Sequence, residues 1–437
     1  MRWTRVALLA ALPLAMGGAA HAGDSAAERK RDAAFQAKVR EAIGKGVAWV
    51  RRQQASDGHF HGANGVSDDP DIEVSKIYAG HRVGESALAL HTLRSCGVPA
   101  EDSAVSAGFA FLRDSYRAQK KIDGLQTYDI SFVVIALDTQ RNRAPDAGPG
   151  AKKPPAPARG GPPPVDDLPW LREMTAWLVG AQGKAGGFGY TSPGFFDTDV
   201  SNTQVALLAL KSARRCGAEV PQAVWQKAMV HLLDAQESAG PSCVRRGETW
   251  KPVEGDGPRT VGARDRARGW GYKPRTPGTG SMTAGGVSSL VICRSELSGS
   301  PGYDGKLDAR AEQGIWDGIA WLGSHFSVVE NPGPRDAPAA VGGKHYYWLY
   351  GLERAGMLSG IPWTGEHDWY REGAQWLVDH QDPAGFWPGN GLTETCFALL
   401  FLQRATPPAP RGAVSGSTED AKEGKEAKDP KEGNEGK

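Results

Sequence analysis

Apolar residues recur along the first part of this chain with the spacing of an amphipathic helix. They stand three or four residues apart, which places them on one helix face: Val39, Ile43, Val47 and Val50. Trp49 lies within this stretch, Gln54 follows five residues later, and Gly58 then introduces an aromatic turn. We therefore expect a helix with one solvated face that ends at a glycine turn.

The same pattern returns five more times. The position of Trp49 is filled later by Phe111, Trp177, His231, Trp321 and Trp376. The position of Gln54 is filled by Tyr116, Gln182, Gln236, Phe326 and Gln381. The full pattern is Gly-x-x-Trp-aliphatic-x-x-x-Gln-x-x-x-Gly-x-aromatic, and it is complete in the first and last units. Such self-similarity predicts a molecule built from equivalent units.

A second kind of helix follows the turn in most units. Residues 203–210 are almost all apolar, which is typical of a helix buried on every side. Its counterparts are residues 86–93, 131–137, 283–297, 346–354 and 395–402. Five of these six stretches open with Ser or Thr, which we expect to cap the helix. An amphipathic outer helix followed by a buried inner helix, six times over, predicts an all-α fold: an α/α toroid of six helical hairpins.

Composition and the chain's first residues bear on location. The formal net charge of +1 gives no reason to expect a nucleic-acid partner. Two Arg precede an apolar run at residues 6–16 that is too short to span a bilayer, and Ala20-His21-Ala22 offers a cleavage site. We expect a signal peptide at residues 1–22, no integral membrane segment, and export to the periplasm or beyond after cleavage near Ala22.

The predicted toroid covers residues 38–405. Surface insertions are expected at residues 144–164 and 240–268, and a disordered Lys/Glu/Gly-rich tail at residues 413–437. The five cysteines contain no Cys-x-x-Cys pair, so they indicate neither a dense disulfide framework nor a zinc knuckle. The sequence is compatible with one or two disulfide bonds among Cys96, Cys216, Cys243, Cys293 and Cys396.

The repeated pattern resembles the QW repeat of squalene-hopene and oxidosqualene cyclases. More broadly, it is similar to repeats of the terpenoid cyclase and protein prenyltransferase β-subunit superfamily. The turns at residues 187–190 and 269–272 share that similarity, and residues 346–354 and 367–370 resemble exported bacterial proteins with such repeats. In this superfamily the Gln and aromatic residues brace neighbouring helices outside the cavity. The resemblance therefore implies an architecture and leaves the reaction open.

The resemblance also locates a possible acid. Squalene-type cyclases protonate an alkene with an Asp-x-Asp-Asp-Thr-Ala segment at the start of an inner helix. Here Asp199 matches the first Asp, while Ser201 and Asn202 stand at the two central positions. A hydroxyl and an amide are not acids near neutral pH, so we expect no squalene-type protonation. A shifted register that uses Asp197 and Asp199 loses the hydrophobic match that follows.

Protein prenyltransferases hold zinc with an Asp-x-Cys pair and a His. Glu394 and Cys396 resemble the pair, and His345 opens the adjacent inner helix. The order along the chain is reversed and the acid is Glu. The favoured interpretation is a buried Cys, a capping Glu and a hydrogen-bonded His, so no metal and no cofactor is expected. The acidic residues 68–73 contain Pro70, which favours a solvated loop.

The starts of the inner helices in such a ring meet at one rim, which makes the cavity mouth the predicted site. The catalytic candidates there are Asp199, Asn202, His345 and Glu394. The ligand-binding candidates are Glu85, Asp129, Thr203, Thr283, Tyr346 and Trp348.

Four functions are compatible with these residues. The first is binding of an apolar ligand, an isoprenoid or lipid, or of a peptide in the toroid cavity. The second is a terpenoid cyclase or transferase with a rearranged acid or a zinc site. The third is a polysaccharide lyase or hydrolase whose proton-abstracting and sugar-stacking residues are Asn202, His345, Tyr346, Tyr347 and Trp348. The fourth is a scaffold with a cell-envelope protein partner.

Overall fold

The computed structural model describes residues 26–61, 75–118, 125–142, 166–191, 198–246, 260–334, 344–389 and 391–407. The predicted signal peptide, the acidic residues 68–73, Asp197, the insertion at 144–164 and the tail at 413–437 lie outside these ranges. The first described helix begins at Ala26, before the expected start of the toroid at residue 38.

Within the described ranges, twelve helices alternate between an outer and an inner wall. The outer helices are α1 (Ala26–Arg52), α3 (Ser103–Ala118), α5 (Leu168–Gly180), α7 (Gln222–Ala235), α9 (Gly305–Ser324) and α11 (Trp369–Asp379). The inner helices are α2 (Ser75–Ser95), α4 (Thr127–Asn142), α6 (Val200–Arg215), α8 (Gly280–Leu297), α10 (His345–Ser359) and α12 (Leu392–Gln403). Two antiparallel strands, β1 (Ser242–Arg246) and β2 (Thr260–Arg266), stand between α7 and α8.

The inner helices pack side by side in a closed circuit. Helix α2 contacts α4, α4 contacts α6, α6 contacts α8, α8 contacts α10, α10 contacts α12, and α12 returns to α2. Outer helix α1 packs on α11 and α12, so the last hairpin meets the first. This is the predicted all-α toroid of six hairpins. None of the helices in the described ranges is both long and apolar enough to cross a bilayer.

Burial follows the two patterns seen in the sequence. In α1, Val39 and Val50 are fully buried while the residues between the apolar positions are largely exposed, as expected for an outer helix. In α6, every side chain from Val200 to Ala213 is buried except that of Leu208. Helix α6 is therefore surrounded by protein, and Leu208 alone in this stretch faces open space.

The repeat glutamines tie each unit to the next outer helix. Each side-chain amide donates to the carbonyl oxygen of its own turn and to a carbonyl of the following outer helix. Gln54 donates to Gly58 at 3.0 Å and to Ala104 of α3 at 2.8 Å. Gln381 donates to Gly385 at 3.0 Å and to Ala42 of α1 at 2.9 Å, which braces the seam of the ring. Gln182 and Gln236 make the matching bonds to α7 and α9.

The glycine of the turn is required by close approach as well as by conformation. Gly58, Gly186 and Gly385 all have positive φ, between 96° and 102°. A Cβ on Gly58 would lie 2.5 Å from the carbonyl oxygen of Ala107 in α3. Gly186 and Gly385 approach α7 and α1 in the same way. The turn of one unit therefore rests directly on the backbone of the next outer helix.

The Ser and Thr residues of the inner helices do not cap their own helices, which corrects the sequence-based expectation. Each inner helix begins earlier than its apolar run, so the hydroxyl lies inside the helix. Thr203 Oγ1 accepts a hydrogen bond from the backbone N–H of Phe188 at 3.0 Å, and Thr283 Oγ1 accepts one from Trp270 at 3.1 Å. Ser86 and Thr395 do the same for Phe60 and Trp387. The hydroxyls thus fasten the aromatic turn to the inner wall.

The insertion at 240–268 contains the β-hairpin, which the sequence did not predict. Ser242 pairs with Arg266 and Cys243 with Asp265. The hairpin is held to α9 through Asp317, which accepts from the backbone N–H of Arg266 at 2.8 Å and from the guanidinium of Arg268 at 2.6 Å. The insertion enters the repeat between Gln236 and its turn, and Arg268 supplies the carbonyl that Gln236 binds at 3.0 Å.

Candidate functional site

The centre of the ring holds a cluster of hydrogen-bonded polar side chains from three inner helices. The hydroxyl of Tyr128, from α4, lies 2.5 Å from Ser201 Oγ and 2.8 Å from the hydroxyl of Tyr347. Ser201 Oγ lies 3.0 Å from the same Tyr347 hydroxyl. Helices α4, α6 and α10 are thereby joined across the ring near their first turns. Burial raises the pKa of both phenols, so they stay neutral and can donate hydrogen bonds.

Gln204 extends this cluster toward Arg354. Its amide nitrogen donates to the hydroxyl of Tyr347, and its Oε1 accepts from Nη2 of Arg354 at 2.8 Å. The close approach of Gln204 to α8 depends on Gly285, where a Cβ would lie 2.6 Å from Oε1 of Gln204. The amide is therefore held in one orientation by neighbours on both sides.

A cavity lies beside this cluster, between α4, α6 and α10. It is narrow, with room for about one water molecule between its walls. Its walls are aromatic and aliphatic apart from one cation: Tyr128, Phe132, Val205, Leu208, Tyr347, Tyr350 and Arg354. The partly exposed Leu208 faces this space. None of these wall residues carries a carboxylate.

Arg354 is the cation of the cavity wall. Its side chain is buried, and its guanidinium carbon lies 3.9 Å from the centre of the Tyr350 ring. Tyr350 in turn stacks on Phe397 of α12, with ring centres 5.1 Å apart. The guanidinium is thus fixed in place by an aromatic stack and by Gln204.

Asp199 and Asn202 form the start of α6. Asp199 Oδ1 accepts from the backbone N–H of Asn202 at 2.7 Å, and Oδ2 accepts from its side-chain amide at 2.9 Å. Both carboxylate oxygens of Asp199 are therefore engaged by the helix N-terminus. Burial raises the pKa of Asp199, and the hydrogen bonds from Asn202 oppose that rise. The Oδ1 of Asn202 is buried and has no hydrogen-bond partner within the described residues.

Three further carboxyl groups gather on another side of the mouth. Burial raises the pKa of Glu85, and the neighbouring Glu394 raises it further. Burial also raises the pKa of Asp129 to about 7, with a contribution from Glu85. Asp129 is 2 % exposed and accepts a hydrogen bond from the backbone N–H of Gln126 at 2.9 Å. Glu85 thus interacts electrostatically with both Glu394 and Asp129, and Asp129 keeps its proton close to neutral pH.

The remaining predicted site residues lie away from the ring centre. Thr203 and Thr283 are fully buried and hold their aromatic turns, as described above. Trp348 is fully buried and donates from Nε1 to the carbonyl of Ser327 at 2.9 Å. Tyr346 is half-buried, and its ring centre lies 6.1 Å from that of Trp376 on outer helix α11. Their roles in ligand binding stay predictions.

The zinc set of His345, Glu394 and Cys396 is not assembled. His345 lies 2.9 Å from the carbonyl of Val328 through Nε2, and its ring packs edge-on against Trp376, with centres 4.4 Å apart. Cys396 is buried in α12, and burial raises the pKa of its thiol. Across the described ranges, no group of three or more His, Cys, Asp or Glu side chains is placed to hold a metal ion. His345 therefore contacts the connection after α9 and the outer helix α11.

Tyr128, Gln204 and Arg354 are parts of the site that the sequence did not reveal. Gln204 and Arg354 stand 150 positions apart and each lies in a largely apolar stretch. A polar residue at an inner position of a buried helix was the available signal, because such a residue needs a partner inside the ring.

No protein-family model and no curated protein sequence matches the chain. Among solved structures, the chain is similar to a variant of the type II terpene cyclase MstE from Scytonema, determined in complex with its product merosterolic acid A. The TM-score is 0.45 at 11 % sequence identity, over 85 % of this chain and 98 % of the cyclase chain. The helix packing described above establishes the toroid.

Proposed function

We propose that this protein binds an apolar ligand, an isoprenoid or lipid, or a peptide in the cavity of its toroid, without squalene-type protonation. The cavity between α4, α6 and α10 carries this proposal, because its walls are aromatic and aliphatic and Leu208 faces open space. Ser201 and Asn202 stand where a squalene-type cyclase needs acids, and Asp199 is engaged as a helix cap. The predicted signal peptide supports binding outside the cytoplasm.

Mass spectrometry of the purified protein tests the proposal directly, since a lipid or peptide held in the ring should co-purify. The cavity can be filled by Leu208→Trp, which we expect to remove the co-purifying molecule and to weaken its rebinding at least about tenfold. Val230→Trp is the matched control, because Val230 is exposed on outer helix α7. A protein that carries no such molecule, and binds neither lipid nor peptide when offered them, would end the proposal.

A terpenoid cyclase or transferase with a rearranged acid is the second candidate, and Asp129 is the observation in its favour. Its carboxyl group lies at the mouth and its pKa of about 7 keeps it partly protonated at neutral pH. Turnover of squalene or of prenyl diphosphates that is lost in Asp129→Asn would favour this candidate over simple binding.

A further inference from the structure

The hydroxyls of Tyr128, Ser201 and Tyr347 form a closed triangle of hydrogen bonds, in which each can donate to one neighbour and accept from the other. The side-chain amide of Gln204 also donates to the Tyr347 hydroxyl. A hydroxyl has one proton to donate and two lone pairs to accept with. These three bonds therefore use the whole hydrogen-bonding capacity of the Tyr347 hydroxyl.

Tyr347 makes these bonds across the ring. In the inner wall α4 packs on α6, whereas α10 packs between α8 and α12. Side chains bridge the space between them: the Tyr347 hydroxyl bonds to α4 and α6, and Arg354 bonds to Gln204 further along α10. Hydrogen bonds between neutral groups contribute little net stability, because water or another polar group can replace each partner. The bridge can therefore open while neighbouring helices of the wall stay packed.

The triangle closes one end of the cavity between α4, α6 and α10. Its three residues lie in the first turns of their helices. The other wall residues lie about one to two turns further along the same helices: Phe132, Val205, Leu208, Tyr350 and Arg354. Room for about one water molecule is too little for a lipid or a peptide. A ligand that enters from the mouth therefore requires the triangle to open.

The two tyrosines of the triangle are the parts that can move. Tyr128 and Tyr347 are partly exposed, whereas Ser201 and Gln204 are buried. Side chains with an exposed face change rotamer readily. Tyr128 lies beside its partner Ser201 on the adjacent helix, so movement of Tyr347 is the change that separates α10 from both α4 and α6.

We propose that Tyr347 is the gate of the ring centre: its hydroxyl fastens the closed state, and rotation of its side chain out of the triangle admits an apolar ligand. This inference rests on the proposed binding function and names the step that controls access to the same cavity. In the open state Tyr128 and Ser201 keep their mutual bond, and Gln204 keeps its bond to Arg354. Opening thus leaves few polar groups without a partner.

Thiol labelling tests the gate without any ligand. Val205→Cys places a thiol in the cavity wall, since Val205 lines the cavity and is 6 % exposed. Its alkylation by iodoacetamide can be followed by peptide mass spectrometry. Adding Tyr347→Phe, which keeps the ring and removes the hydroxyl, should raise the alkylation rate at least about tenfold, the range expected for lost hydrogen bonds.

Two controls separate gating from a general loosening of the fold. Tyr370→Phe also removes a buried hydroxyl, one that donates to the carbonyl of Leu402 at 2.9 Å, and it should leave the alkylation rate unchanged. The native thiols of Cys293 and Cys396 are fully buried and report unfolding in the same samples. If Tyr347→Phe leaves the rate at position 205 unchanged, Tyr347 is not the gate. The proposal is equally wrong if Cys293 and Cys396 are labelled faster in the same proportion.

Binding of farnesol, an isoprenoid, tests the ligand-binding function separately. Stopped-flow tryptophan fluorescence should show that the wild type and Tyr347→Phe both bind farnesol, and that the variant associates at least about tenfold faster. Equal association rates would mean that the ligand enters by another route, which overturns the gate. If neither protein binds farnesol while the labelling rate rises as expected, the gate stands and the proposed function fails for isoprenoids.

Discussion

Asp129 is a buried carboxyl group whose ionisation opposes folding. Its pKa of about 7 lies above the ordinary 3.8, so the folded protein holds this proton more tightly than the unfolded chain does. The stability that depends on it is therefore greatest below about pH 4 and declines as the pH rises toward 7. Asp129→Asn should leave the free energy of unfolding nearly unchanged at pH 4 and raise it by roughly 4 kcal/mol at pH 8.

Urea denaturation at the two pH values measures this difference. Asp114→Asn serves as the control, because Asp114 is an exposed carboxyl group on outer helix α3. A gain of equal size at pH 4 and pH 8 would show that the charge of Asp129 is not the cause.

Individual side chains were the least predictable part of the site. Helical periodicity placed Asp129, Asn202 and Glu394 near the starts of inner helices, and the structure has them there. Periodicity carries no information on which helix start faces which, so the bond between Gln204 and Arg354 could not be predicted from it. The outward position of His345 could not be predicted from periodicity either, because its partner Val328 lies in the preceding connection.

At the scale of elements, the turn glycines combine two constraints that substitution can separate. Gly186 and Gly97 both have positive φ, 98° and 84°. A Cβ on Gly186 would overlap the carbonyl of Lys227 in α7, whereas a Cβ on Gly97 would meet nothing within 4 Å. Gly97→Ala should thus cost about 1 kcal/mol, from backbone conformation alone, and Gly186→Ala about 3 kcal/mol or more.

Thermal and urea unfolding of the two variants, side by side, provides the measurement. Equal losses would mean that the turn does not rest on α7 as tightly as the structure has it.

Helices and their order were predictable because apolar spacing distinguishes a one-sided helix from a buried one. The residue at which each helix begins could not be predicted in this way. Inner helices begin before their apolar runs, since the turn at the mouth end is polar: α10 starts at His345 and α6 at Val200, directly after its cap Asp199. The β-hairpin escaped prediction because its strands are charged and lack the alternation of a half-buried strand.

For the whole molecule, the seam between α12 and α1 is built like the other junctions. Apart from the connection that holds the insertion at 144–164, connections from an inner to the next outer helix are short, as at residues 96–102 and 216–221. A circular permutant that joins residue 407 to residue 26 through about four Gly and Ser residues, and opens the chain within residues 143–165, should fold. Opening the chain between Leu207 and Leu208, inside buried α6, should abolish folding.

Circular dichroism and thermal denaturation report the outcome. The first permutant should keep the helical spectrum and unfold in one transition within about 10 °C of the wild type. Failure of that permutant to fold would indicate that the contacts of α1 with α11 and α12 do not form a junction equivalent to the others.

The bracing by Gln54, Gln182, Gln236 and Gln381 has a consequence for how units can diverge. Each glutamine donates a hydrogen bond to a backbone carbonyl of the next outer helix, and in the units of Gln54, Gln182 and Gln381 the turn glycine rests on that helix's backbone. A backbone carbonyl is present whatever side chain occupies the position. The dependence between neighbours therefore runs in one direction: a unit can lose its own glutamine, as those with Tyr116 and Phe326 have, and still be gripped by the unit before it. Side-chain substitutions in one hairpin therefore do not remove the carbonyl that the preceding hairpin binds. The ring stays intact while individual hairpins are free to acquire insertions or new surfaces.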